Sequence, residues 1–290
     1  MSWNVVEKFS FDPTGGSDNA DELATLAEDL REYKAANRPL PRVVFPEGVY
    51  NFSTWPNLAI NGLECVGEGN VLLRHTGSGP AITFDGVSTG PGGGGQFNML
   101  IDNFYIMPNG NTTDTFILNS IHHSLVRVHA LGVGVPGSKA ISMYWCVLTE
   151  LNNCSVTPHD DKVFGPGGSY DCIGLWLDKV TQPSHWQTTA CRFVNPILEN
   201  LRIGAWLEDA GGCQFTGGAI EYCTERGIVI RTGGNNQTRN LWLEGNNERD
   251  IWFKYDTHDN RFEVTNGNAH VQNDAILGGN NRVVSPSDIL

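Results

Sequence analysis

The chain has 290 residues, 40% of them hydrophobic, enough to bury a core as one large domain or two ordinary ones. Nineteen Lys and Arg against 32 Asp and Glu give a net charge of −13, which argues against nucleic acid as the main partner, since phosphate binding needs clustered cations. No apolar run reaches the length of a membrane span, so no membrane partner is expected, and seven Cys without a CxxC pair point to buried free thiols rather than disulfides or zinc. The opening "MSWNVVEKFSFDPTGG" shows no basic stretch followed by an apolar one, so no secretory leader is visible. Export by another route or a place in a virion is the favoured expectation, with the cytoplasm as the alternative.

In chain order, "SDNADELATLAEDLREYKAAN" predicts an amphipathic helix over about 19–36, with Leu23, Leu26, Leu30 and Tyr33 on one face. Asp18 is the expected cap and Asp21 its partner three residues on. "PRVVFPEGVYNF" then reads as strand, corner and strand. The stretch "FDPTGGSDNADELATLAEDL…RVVFPEGVYNF", through Asp12, Gly15, Ser17, Asp18, Val44, Phe45, Pro46, Gly48 and Tyr50, resembles the opening of the pectate-lyase-like, right-handed parallel β-helix superfamily. That superfamily includes pectate lyases, polygalacturonases, polysaccharide epimerases and phage tailspike depolymerases. The resemblance implies an all-β, single-stranded parallel solenoid with a capping α-helix over one end, since an open end exposes unpaired backbone. It implies one domain over 1–290, with the cap in 1–40 and coils from about 41. The Gly-rich "STGPGGGGQ" is a loop, with no helix after it to cradle a phosphate.

Two interleaved strand series recur further along. "NNCSVT", "TACRFV", "GCQF", "RNLWLE", "NRFEVT" and "NNRVVS" place Cys154, Cys191, Cys213, Leu241, Phe262 and Val283 at matching inward positions, after weaker copies "DNFYIM" and "HSLVRV". "GLWLD", "GAWLE", "GIVIR" and "DIWFK" align without gaps at intervals of 30, 23 and 23 residues, with weaker copies "AISMY" and "DAILG". A minimum period near 21–23 is that of a coiled solenoid, with longer intervals as corner loops. Cys154, Cys191 and Cys213 are expected to form one inward thiol column. Asn103, Asn153, Asn240 and Asn260 are expected to share a corner, where Asn amides bond backbone.

The gapless series stacks Trp176, Trp206, Val229 and Trp252 outward, with Asp178, Glu208, Arg231 and Lys254 beside them. Such an apolar stripe fits a subunit interface (a side-by-side homotrimer), a bound glycan, or cover by a loop. Asp178 and Glu208 one coil apart satisfy the spacing of hydrolytic carboxyls, as does any stacked pair, and a simple charge ladder is the alternative. Glu199 and Glu221 share an offset in the other series, with Glu244 near the same bend. Stacking would raise one of their pKa values, as a proton donor needs, whereas hydrogen-bonded corner carboxylates are the alternative. The insertion "TPHDDKVFGPGGSYD" gathers His159, Asp160, Asp161 and Asp171 as a base, a divalent-metal site or a polar loop, and "KVTQPSHWQTT" adds His185 and Trp186. The polygalacturonase set "NTD…DD…GHG…RIK" is absent apart from the paired Asp160–Asp161, as is the Arg and calcium-binding Asp pattern of pectate lyases. No catalytic residue carries over from either.

The resulting expectation is a β-helix that binds a polysaccharide and cleaves it, more by hydrolysis than by elimination, because the Lys and Arg residues show no cluster to neutralise a uronate. Glu199, Glu221, Asp178 and Glu208 are the catalytic candidates. Trp176, Trp206, Trp252, His159, Asp160, Asp161 and Glu244 are the substrate-binding ones. No metal or other cofactor is expected. The alternatives are a lyase or epimerase of the same fold, or a non-catalytic glycan-binding or particle-building β-helix such as a phage tail component.

Overall fold

The computed structural model describes residues 1–86, 95–132, 134–157, 170–179, 187–265, 269–275 and 279–284. Every strand pairing in it is parallel, each strand bonding its counterpart one coil away, and the coils wind right-handed, the hand that strand–crossover–strand connections take. One coil shows the plan. Arg192–Val194 forms the first face, Asn195 turns the chain with φ 48°, and Ile197–Glu199 forms the second face. Asn200 turns it again with φ 56°, and Leu201–Leu207 forms the third face. First- and second-face strands merge into one 17-stranded sheet, while the third face is a separate 8-stranded sheet.

The solenoid begins earlier than the sequence suggests. Ser2–Asn4 already pairs with Arg42–Phe45, and Thr14–Asp18 with Gly48–Phe52. Asp12 ties the intervening turn by accepting from the backbone and hydroxyls of Thr14 and Ser17, which hold its carboxyl well below the usual range. The capping helix spans Ala20–Ala35 and buries Leu23, Leu26, Ala27 and Leu30. Its N-cap is Asn19, not Asp18, and the Asn19 amide serves Asp12 and Asn51 instead of the helix. Asp18 accepts from Ala20 and Ser53.

Inside, the true register differs from the apolar alignment in one column. Leu151, Phe193, Phe215, Thr238, Phe262 and Val283 stack as one first-face row. The row before it runs Cys191, Cys213, Asn236, Asn260 and Asn281, with Cys146 beneath Cys191, whose thiol donates to the Cys146 carbonyl (3.4 Å). Cys154 and Leu241 lie past the first corner and belong to neither row. The Asn members form a ladder: Asn260 Oδ1 accepts from the backbone N–H and the amide of Asn236, both at 3.0 Å, and Asn260 in turn donates to Asn281. Asn260 is thus a ladder residue, whereas Asn103, Asn153, Asn195 and Asn240 carry the positive φ of the first corner. Among the described residues the last third-face strand is Val271–Asn273, pairing Gln272 with Trp252, and most of "DAILG" lies outside them.

Candidate functional site

The third face is where aromatic and charged side chains converge. Trp176 pairs with Trp206, Trp206 with Val229, and Val229 with Trp252, so the predicted outward column is real. Trp176 and Trp206 stack with ring centroids 5.6 Å apart and planes 16° off parallel. A second apolar cluster outside the solenoid supports them: Ile173, Ile203 and Val229 are buried beneath the half-exposed indoles. Two of these residues reach the outer surface because Gly174 and Gly204 turn inward, where an added Cβ would overlap Leu201 and Ile220. The glycine that opens "GLWLD" and "GAWLE" therefore marks a close approach to the core.

The carboxylates are tied to the indoles two residues before them. Trp206 Nε1 donates to Glu208 Oε2 (2.7 Å), Trp176 Nε1 to Asp178 Oδ2 (3.3 Å) and Trp242 Nε1 to Glu244 Oε2 (2.9 Å). Trp252 instead reaches Asp274 (2.9 Å). Glu208 N–H donates to Leu177 O (2.8 Å), which sets Asp178 and Glu208 one coil apart as expected. Glu208 also pairs with Arg231.

Alongside this column, toward the C-terminal ends of the same strands, lies a cavity of about 340 Å³ lined by Lys179, Glu208, Asp209, Arg231, Thr232 and Tyr255. Lys179 Nζ pairs with Asp209 Oδ2 at 2.8 Å, which holds the lysine above its ordinary pKa. Asp209 is 7% exposed and its Oδ1 has no hydrogen-bond partner among the described residues. A β-bulge displaces the register between Ile230 and Thr232 and leaves Tyr255 at φ 26°, a strained value for an aromatic residue that bulges impose beside functional sites.

Four of these residues eluded sequence reasoning, although a signal was present. Lys179, Asp209 and Thr232 stand three positions after Trp176, Trp206 and Val229 and form a third column, which the bulge shifts at the next coil so that Thr232 pairs with Asp256, next to Tyr255. Two of the four cations, Lys139 and Arg226, were missed as well, whereas Arg231 and Lys254 stand in the charged column read from the sequence. Lys139 lies 4.2 Å from the Trp176 ring centroid, Arg226 4.0 Å and Lys254 3.9 Å from that of Trp252, and Arg231 5.7 Å from that of Tyr255. The expectation of no basic cluster is corrected: these cations come from separate coils, and only the stacking gathers them.

Glu199, Glu221 and Glu244 are in register on the second face, on a different sheet from the Trp column. Burial and the charges of Glu199 and Glu244 raise the Glu221 pKa. Trp176, Trp206 and Trp252 therefore cannot hold a sugar over this pair; Trp242 and Ile197, both exposed, border it instead. His159, Asp160, Asp161, His185 and Trp186 lie outside the described residues. Asp171 pairs with Arg202 (2.7 Å). Among the described residues, no group of three or more His, Cys, Asp or Glu could hold a metal ion, and no helix is long and apolar enough to cross a membrane.

No family model matches the chain, and no curated protein does. Among solved structures, a surface adhesin of Streptococcus pneumoniae, PfbA, is similar over 91% of this chain and 70% of its own, with a TM-score of 0.63 at 10% identity. Geobacillus virus E2 ORF18 is similar over 98% of this chain and 60% of its own, with a TM-score of 0.58 at 12% identity. At such identities the likeness is one of fold.

Proposed function

We propose that this chain, which has the right-handed parallel β-helix fold of the pectate-lyase-like superfamily, binds a linear polysaccharide lengthwise on its third face and hydrolyses it there. The observation that carries this reading is the Trp column flanked along its length by the Glu208–Asp209 cavity. Indole faces accept the C–H faces of sugar rings, and successive coils, about 4.8 Å apart, repeat at close to the length of a sugar unit. Asp178 and Glu208 are the carboxyl pair assigned to the reaction. Their strand separation suits a retaining enzyme, whose carboxyl groups stand about 5–5.5 Å apart. Glu208, oriented by Trp206 and Arg231, attacks the anomeric carbon, while Asp178 gives its proton to the leaving oxygen. Water then releases the sugar from Glu208 and returns a proton to Asp178.

A second reading rests on Glu221. Its raised pKa suits a proton donor beside Glu199, with Trp242 as the sugar platform on the second face. Elimination also regains standing, since Lys179, Arg231 and Lys254 could neutralise a uronate. A surface adhesin and a virus protein among the similar structures support work outside the cell or on a virion. Side-by-side assembly, as a homotrimer, would compete with glycan for the same face.

Release of reducing ends from a polysaccharide panel tests the assignment. Asp178→Asn and Glu208→Gln should each lower the rate by about a hundredfold or more. Parent rates in both, with loss in Glu199→Gln or Glu221→Gln, would move catalysis to the second face. An unsaturated, ultraviolet-absorbing product would indicate a lyase, and binding without any cleavage a non-catalytic β-helix.

A further inference from the structure

The Trp column is interrupted at one coil, where Val229 replaces an indole. The space over that coil holds the Lys254 ammonium, 3.9 Å from the Trp252 centroid and 5.4 Å from that of Trp206. Lys254 has no ion pair among the described residues. Arg226 and Arg231 stand nearby, and both are already bound to acids: Arg226 to Glu248, Arg231 to Glu208. Of these three cations, Lys254 alone is left without a carboxylate among the described residues, on a chain carrying a net charge of −13. Half-burial against the rings, then Arg226 and Arg231, lower its pKa, while Asp274 offsets them in part. A cation held against ring faces at a cost in its own ionisation is a receptor for an incoming anion.

We infer that Lys254 is a specificity-determining residue of the third-face groove, which selects a glycan whose sugar at the Val229 coil carries an anionic group, carboxylate or sulfate. This rests on the glycan reading of the Trp column. Sugars packed against the exposed indole edges of Trp206 and Trp252 flank that coil, and the substituent between them meets the ammonium from above. Lys139 repeats the arrangement over Trp176, donating to Tyr144 OH at 3.0 Å, so a second anionic substituent fits two coils before the first.

The test is calorimetric binding to the full chain. Probes are polygalacturonate and alginate oligomers, their carboxyl-reduced forms, and carrageenan oligomers with their desulfated forms. At least one acidic oligomer should bind at least tenfold tighter than its neutralised counterpart, and more weakly as salt rises. The uronate and carrageenan arms tell carboxylate from sulfate. Lys254→Met should remove that preference while neutral binding persists, and Lys254→Arg should keep it; an unchanged melting temperature confirms that the variant folds. Equal binding of acidic and neutral forms, or an unaltered preference in Lys254→Met, overturns the assignment of Lys254 but leaves the glycan reading intact. No binding of any probe overturns both.

Discussion

Glu221 lies between Glu199 and Glu244 on adjacent coils, and the two neighbouring charges add to its partial burial in favouring the protonated acid. The sign of the pH effect follows. A carboxyl whose folded-state pKa is raised holds its proton more tightly folded than unfolded. Its contribution is most favourable below the unfolded value and is lost as pH rises through the folded one. Glu221→Gln removes the penalty, so the urea midpoint should rise relative to the parent near pH 8, and the difference should close near pH 4. A variant less stable than the parent at about pH 8 would show that the Glu221 carboxylate is compensated there. The stacking of Glu199 and Glu221 could be read from their offsets to Phe193 and Phe215, with Glu244 placed only near the same bend. That the Trp column lies on another sheet could not, because only the corner at Asn200 separates Glu199 from the strand bearing Trp206.

Among the structural elements, the Asn ladder carries the clearest energetic consequence. Asn260 is fully buried and supplies the acceptor for two donors of Asn236. Asn260→Leu would leave those donors unsatisfied and should cost roughly 3 kcal/mol, read as a lower urea midpoint. A midpoint unmoved from the parent would show that the ladder contributes no stability. This ladder also explains what the sequence concealed. The third face aligned without gaps because one strand there spans the whole wall, from Leu201 to Leu207 or Arg226 to Gly234. The first face did not, because several of its strands are only three or four residues long and break at a left-handed corner that accepts either Asn195 or the Gly217–Gly218 pair. A short apolar triplet matches its neighbours equally well one corner out of step. Cys154 and Leu241 were placed in the wrong row for that reason. Side chains such as Lys139, Lys179 and Arg226 are not singled out by the strand alignment, and only the completed stack reveals them as a group with Lys254.

For the molecule as a whole, all seven cysteines are free and buried. Burial pushes Cys65, Cys146, Cys154, Cys172 and Cys223 up to about 12, and Cys191 likewise well above its ordinary value. Since the thiolate is the reactive species, a water-soluble thiol reagent should label none of them in the folded protein and all seven in urea. Rapid labelling of any one in the native state would place that coil outside the packed core. The parallel pairing has a mechanical outcome too. Backbone hydrogen bonds of stacked coils point along the solenoid axis, so tension applied end to end meets them one coil at a time. Each opening would free a chain length of about 75 Å, roughly that of a coil. Pulling across the axis would instead load several strands together, making the rod stiff sideways and extensible lengthwise.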